Sequence, residues 1–152
     1  MSDTYRAING VLVELINQLW DLEGNAIITD EFKDITNNDM HVIEAIGNDN
    51  GKNMSTVARK LNITVSSLTA AINSLVRKEY VERRRSSEDR RVVEIRLTEK
   101  GERAYRQHEE YHRQMVEAAI REMDPEEIPV LIKMLRNLKD FFETYGQTKD
   151  AE

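Results

Sequence analysis

Asp89-Arg90-Arg91-Val92-Val93-Glu94-Ile95-Arg96-Leu97-Thr98-Glu99-Lys100-Gly101 is the stretch that decides the fold. It opens on a charged turn and continues as the alternation of apolar and charged side chains that a half-buried strand needs. It closes on Thr98, whose oxygen can cap a following helix. Upstream, Tyr80-Val81-Glu82-Arg83-Arg84-Arg85 is strand-like too. The two strands make a hairpin whose tip, Ser86 to Arg91, holds neither Gly nor Pro and is expected to be long and exposed. Ahead of the hairpin stand two short helical patterns joined by Asn62-Ile63-Thr64. The first runs from a cap at Ser55 to about Leu61, with Val57, Ala58 and Leu61 inward. The second runs from Val65 to Lys78, with Val65, Leu68, Ile72, Leu75 and Val76 on its buried stripe. A helix-turn-helix followed directly by such a hairpin is a winged helix.

The other side of the second helix carries Ser66, Thr69, Ala70, Asn73 and Arg77. Small polar side chains there permit close approach to base edges in a major groove. Ser66, Ser67, Thr69 and Asn73 are therefore the candidate base contacts, and the Asn73 carboxamide has the groups to pair bidentately with adenine. Arg77 and Arg59 are candidates for phosphates. In the wing, Arg91 is assigned to the minor groove, Arg90 to a phosphate, and Asp89 to orienting an arginine of the tip through a charge-assisted bond. A polar helix face alone is ordinary solvated surface, and its place after a helix and a turn is what gives it a use. Charge distribution agrees. The formal net charge is −6, yet residues 52–106 hold 14 Lys/Arg and 7 Asp/Glu, which leaves −13 for the flanks.

Ile8, Val11, Leu12, Leu15, Ile16, Leu19 and Trp20 predict an amphipathic helix from about Thr4 to Glu23, and Gly24 to Ile35 reads as a connection. Thr36 and Asp39 cap a helix carrying Met40, Val42, Ile43 and Ile46 that stops near Gly47, with Asn48 to Lys52 as a turn. A long helix follows Thr98 to about Met123. Asp124-Pro125-Glu126-Glu127 starts a last one with Leu131, Met134, Leu135, Leu138, Phe141 and Phe142 on one side, ending near Tyr145-Gly146 ahead of a disordered tail from Gln147 to Glu152. The terminal stripes exceed what a small winged helix can cover, which predicts packing across the two-fold axis of a homodimer. The expected fold is mainly α. It is one unit over 1–152, with a winged helix-turn-helix lobe at about 36–100 and dimerisation helices at about 4–23 and 98–146. The absence of cysteine excludes disulfides, thiolate metal sites and thiol redox sensing. The start Met1-Ser2-Asp3-Thr4 lacks a basic region before an apolar run, and no segment approaches roughly 20 apolar residues, so a cytoplasmic protein without a membrane partner is expected.

With flanking helices around a winged helix, the pattern D-x-R-x5-L-T-x2-G formed by Asp89, Arg91, Leu97, Thr98 and Gly101 resembles the MarR family of bacterial transcriptional regulators over nearly the whole chain. The resemblance implies a triangular dimer that reads a pseudo-palindromic operator in double-stranded DNA, with terminal helices at the interface, a recognition helix in each major groove and a wing in the minor groove. It implies a repressor, not an enzyme. Met40 to Gly47, Val57 to Leu61, Leu75 to Arg83, Glu88 to Val93 and His108 to His112 are most similar to the FabT-type branch, repressors of fatty-acid synthesis genes. That branch implies no required cofactor, but an acyl chain carried on acyl carrier protein as effector. The chain would lie in a channel between the first, second and fifth helices near Leu19, Leu22, Met40, Ile43, Tyr105, His108 and Met115.

His108-Glu109-Glu110-Tyr111-His112 also matches H-E-x-x-H, in which two His one turn apart hold zinc and Glu activates water. No downstream third ligand suggests itself, no nucleophile with its base and no phosphate loop emerges, and a hydrolase is set aside. Three readings of the pair stay open: histidines of a core with satisfied hydrogen bonds, walls of the effector pocket, or zinc ligands. For the last, Glu23, His41, His108 and His112 resemble the ligand set of the family's zinc-sensing branch. A purely structural dimerisation protein would leave the basic winged helix without a use.

Overall fold

The computed structural model describes residues 2–27, 29–48 and 51–149, and the side chains of these outside 20–27 and 146–149. In chain order the elements are α1 (Asp3–Ile27), α2 (Asn37–Ile46), β1 (Lys52–Asn53), α3 (Met54–Leu61), α4 (Val65–Arg77), β2 (Val81–Arg85), β3 (Val93–Leu97), α5 (Glu99–Ile120) and α6 (Ile128–Lys149). The three strands form one antiparallel sheet in the order β1-β3-β2. Val81 pairs with Leu97, Arg83 with Ile95 and Arg85 with Val93, while Lys52 pairs with Ile95. The chain divides into two compact units, Met1–Tyr111 and His112–Glu152, with α5 continuous across the boundary.

The core of the first unit is the predicted one. Met40, Val42, Ile43 and Ile46 of α2, Val57 and Ala58 of α3, Leu68, Ile72 and Leu75 of α4, and Val81, Ile95 and Leu97 of the sheet close on one another. Phe32, Ile35, Tyr80 and Ala104 complete the cluster. The stripe of α4 differs at its ends, for Val65 is 45% exposed and Val76 only partly buried. Val65 is the first residue of the helix and has no preceding turn to cover it. In α1, Leu12 is half-buried, but Ile8, Val11, Leu15, Ile16 and Leu19 are 39–58% exposed, so that stripe is largely uncovered among the described residues; the side chain of Trp20 lies outside them.

Several boundaries move. α1 continues through Gly24 to Ile27, because one glycine costs a helix only about 1 kcal/mol and Asn25-Ala26 do not break it. The expected turn at Asn48 to Lys52 gives way at Lys52 to the short strand β1; positions 49 and 50 lie outside the described residues. α3 is capped by Asn53, whose side chain accepts the Thr56 N–H at 2.8 Å, leaving Ser55 inside the helix. In the second unit, Asp124 to Glu127 form a turn closed by the Glu127 N–H on Asp124 O and by the Asp124 N–H on the Glu127 carboxylate, both 2.9 Å, so α6 starts only at Ile128. α6 then runs through Gln147 to Lys149, where a disordered tail was expected. Met134, Leu135, Phe141 and Phe142 on it are 43–57% exposed, and Phe141 packs on Phe142 and Tyr145 with ring centroids 5.6 and 5.7 Å away. No described helix is long and apolar enough to cross a membrane.

Candidate nucleic-acid interface

The helix-turn-helix is held by local chemistry at both ends. Asn62 stops α3 in the left-handed region, φ 54°, while the Ile63 and Asn62 N–H groups donate to Ala58 O and Arg59 O. Thr64 then caps α4, accepting the Ser67 N–H at 3.1 Å. α4 ends in the same way. Glu79 takes φ 66°, with the Tyr80 N–H on Leu75 O and the Glu79 N–H on Val76 O, the paired bonds of a Schellman stop.

α5 grips that stop directly. The Thr98 N–H donates to Tyr80 O at 3.0 Å, the Thr98 hydroxyl to Glu79 O at 2.6 Å, and the Lys100 ammonium to Lys78 O at 2.9 Å. Thr98 Oγ1 in turn accepts the Gly101 N–H at 3.1 Å, which makes it the predicted cap. Gly101 lies so close that a Cβ there would stand 2.1 Å from Tyr80 O.

Charged pairs brace the same joint. Asp39 is 5% exposed and takes part in the Thr36 capping box while accepting the Lys78 ammonium at 2.7 Å. The Tyr80 hydroxyl donates to Asp34 at 2.7 Å, and Lys100 sits 4.1 Å from the centre of the Tyr80 ring. The Tyr80 bond, with help from Lys100, holds the Asp34 carboxyl below its ordinary range, and burial with the Asp34 bond pushes the Tyr80 phenol up.

The face of α4 turned away from this core carries Ser66, Ser67, Thr69, Ala70, Asn73 and Arg77, all exposed as predicted. Thr69 spends its hydroxyl hydrogen on Val65 O at 2.8 Å, and Ser67 accepts from the Thr64 hydroxyl at 2.9 Å. Both oxygens keep spare accepting capacity. The Asn73 Oδ1 accepts the Arg83 guanidinium at 2.6 Å, a partner that the adenine-reading expectation did not include. Sequence reasoning missed Arg83 as a functional residue, although the β2–β3 register carries a signal. Arg83 alternates with Val81, which is buried and faces α4, whereas Glu82, Arg84 and Arg96 share the opposite face. There Glu82 pairs with Arg84 at 2.9 Å and also with Arg96, and the Arg96 bond draws its carboxyl below the usual range.

In the wing, Asp89 accepts from backbone N–H groups rather than from an arginine side chain. Its Oδ1 accepts the Arg91 N–H at 2.9 Å, and its carbonyl accepts the Val92 N–H at 2.9 Å. The local turn wins because a carboxylate two residues from an N–H reaches it at little entropic cost. The expected bond from Asp89 to an arginine side chain is not formed. The Arg90 and Arg91 guanidinium groups are exposed and have neither an acid nor a hydrogen-bond partner, and the same holds for those of Arg59, Arg77 and Arg85 among the described residues. Most other cations of the lobe are neutralised or bonded inward, as Lys78, Arg84, Arg96 and Arg103 are by Asp39, Glu82 and Glu31. Within the lobe the free positive charge is thus concentrated on the helix-turn-helix and wing, where a polyanion would be met.

The residues assigned to an effector or a metal are only partly brought together. Met40 and Ile43 are 1% and 0% exposed inside the core, Tyr105 packs half-buried against it, and His108 is 6% exposed. Leu19 is 39% exposed, and Met115, also 39% exposed, belongs to the second unit. The side chains of Leu22 and Glu23 lie outside the described residues. The carboxylate that meets the histidines is Glu44, not among the predicted ligands. His108 Nε2 lies 3.1 Å from Glu44 Oε1, and His41 Nδ1 lies 3.6 Å from Glu44 Oε2. The buried His108 therefore has a satisfied polar contact. Its ligand-type neighbour on the same helix, His112, follows one turn later in the second unit. Glu44, His108 and His41, within the first unit, are donors of the imidazole and carboxylate type that suits zinc.

The profile of the MarR family matches residues 35–93. Streptococcus pneumoniae FabT, solved in complex with DNA, is 40% identical to this chain. The match covers 93% of this chain and 99% of that one, with a TM-score of 0.79. The HTH-type transcriptional regulator PchR of Bacillus subtilis is 27% identical over 157 residues, 94% of this chain and 92% of PchR. An uncharacterized HTH-type transcriptional regulator of the same species, YpoP, is 34% identical over 71 residues, so this chain spans about half the length of that relative (50%).

Proposed function

The chain belongs to the MarR family of DNA-binding transcriptional regulators, and from that premise we propose that it is a homodimeric repressor of fatty-acid synthesis genes, governed by an acyl-chain effector. The observation that carries this reading is the 40% identity, held over nearly the full length of both chains, to a FabT solved on DNA. It joins the sequence resemblance to the fatty-acid-synthesis branch. A homodimer is favoured by the apolar faces of α1 and α6, each exposed in the single chain and each costly to leave in water. Two copies would present two α4 helices to half-sites about one helical turn apart on a pseudo-palindrome.

Each part of the lobe then has a task. Ser66, Ser67 and Thr69 meet base edges, Arg59, Arg77 and Arg90 neutralise phosphates, and Arg91 enters the minor groove, whose negative potential favours an unpaired guanidinium. Asp89 keeps the turn that aims Arg90 and Arg91. The Thr98 and Lys100 bonds to the end of α4 make the recognition helix follow α5. A ligand that changes α5 therefore changes the spacing of the two recognition helices. Because Met40 and Ile43 are closed in the core, an acyl chain reaching them must bind an opened state better than the packed one. Tenfold tighter operator binding needs only about 1.4 kcal/mol of such preference.

The Glu44 contacts to His108 and His41 favour zinc as the second reading. Titration of operator binding with long-chain acyl carrier protein, and separately with zinc against a chelator, decides between them. Tightening by the acylated carrier alone supports the fatty-acid role. A zinc response that His108→Ala abolishes, with none to the acylated carrier, replaces it and leaves the DNA-binding assignment in place.

A further inference from the structure

We propose that Arg83, a residue of the wing strand, determines which base Asn73 reads, turning it from an adenine reader into a guanine reader. The inference rests on the DNA-binding reading above. An asparagine free at both ends of its carboxamide accepts from adenine N6 through Oδ1 and donates to N7 through Nδ2. Here Oδ1 already accepts a cationic donor, which leaves it one lone pair and sets a positively charged guanidinium where the N6 amino group of adenine would approach. Arg83 Nη2 lies 2.6 Å from Oδ1, and a guanidinium has five donors and no acceptor, so the carboxamide atom that faces Arg83 must be the oxygen.

The clasp follows from the sheet. Arg83 sits opposite Ile95 on the side of β2 shared with Val81, and no acid stands on that side at Val81, Arg85, Val93, Ile95 or Leu97 to draw the guanidinium away. The nearby acid Glu82 points the other way, into its bonds with Arg84 and Arg96. Asn73, on the exposed face of α4, is what Arg83 reaches instead. With the cation beside Oδ1, an adenine N6 amino group would bring donors against donors. The edge left to a base consists of Asn73 Nδ2–H and the remaining Arg83 N–H groups. Guanine, with adjacent N7 and O6 acceptors, complements that edge, and adenine does not. Arg83 is thus a positioning residue for Asn73.

Full-length protein is used to select duplexes from a random library, and the selected operator is then assayed with every base pair substituted in turn. The position whose preference Asn73→Ala erases should favour guanine over adenine by about tenfold in the unaltered protein, a difference of about 1.4 kcal/mol. Arg83→Met, which keeps the stem and removes the donors, should reverse that preference toward adenine and leave preferences elsewhere unchanged. The double variant should discriminate no better than Asn73→Ala alone. Selection of adenine at that position by the unaltered protein overturns the inference. So does an Arg83→Met variant that binds operator and random DNA equally more weakly with every preference intact, which would make Arg83 a phosphate contact. If the unaltered protein selects no motif at all, the DNA-binding reading falls and takes the inference with it.

Discussion

Gly101→Ala should destabilise this protein, although helix propensity alone predicts the reverse. Within α5 an alanine is favoured over glycine by about 0.5–1 kcal/mol. Against that, the added Cβ would stand 2.1 Å from Tyr80 O, 3.1 Å from Tyr80 C and 3.3 Å from Leu97 Cβ. The first two are backbone atoms and cannot swing aside. The start of α5 and the end of α4 must separate by about 1.3 Å or more to restore ordinary contact. That movement stretches the bonds from Thr98 and Lys100 to Tyr80 O, Glu79 O and Lys78 O. Overpacking costs about 1–3 kcal/mol and the three bonds, stretched rather than broken, together about 2 kcal/mol, so the net loss should be about 2–4 kcal/mol after the propensity gain. At fixed protein concentration the melting temperature should fall by roughly 5–15 °C. Thermal and urea unfolding by circular dichroism measure this. A variant as stable as the parent, or more so, would refute the argument that close approach rather than backbone conformation requires glycine here.

Asp39→Ala removes one half of the Thr36 capping box and leaves Lys78 without its carboxylate, but Lys78 is partly exposed and can rehydrate. The expected loss is therefore about 2–3 kcal/mol in urea unfolding, below that of a fully buried pair. Arg91→Ala should weaken operator binding by about 1–3 kcal/mol at moderate salt with the unfolding midpoint and the oligomeric state unchanged; unchanged affinity in fluorescence anisotropy would remove the wing from the mechanism. The Asp34 carboxyl is held below its ordinary range by the Tyr80 hydroxyl. Its stabilisation should be complete above pH ~4 and lost as pH falls through the depressed folded value. Asp34→Asn should flatten this acid limb of the urea midpoint, leaving the part due to Glu82; a limb of undiminished slope would show that Asp34 is not its source.

The features legible in the sequence are those whose partners stand within one turn. Thr36 and Asp39 form their capping box three residues apart, Thr64 finds the Ser67 N–H at the same distance, and Leu68, Ile72 and Leu75 meet the core because helical geometry stacks them. The alternation of Val93 to Leu97 predicted β3, since a strand with one buried face admits little else. The basic character of residues 52–106 was equally plain. Which of those arginines remain free was not, for it depends on where Glu82 and Glu31 come to lie.

Tertiary structure decided what distant segments do to one another. β1 is two residues long, too short for any periodicity, and exists because Lys52 and Asn53 find Ile95 and Glu94. Asn73 looked like a free reader of bases until the sheet brought Arg83 to its oxygen. Glu44 offered no local sign of a histidine 64 residues away, and nothing around Gly101 in the chain announces Tyr80 O. A side chain's reach along the backbone follows from bond geometry and can be read residue by residue. Its reach across space is set by the simultaneous packing of every element onto one core, and no short stretch of sequence contains that information.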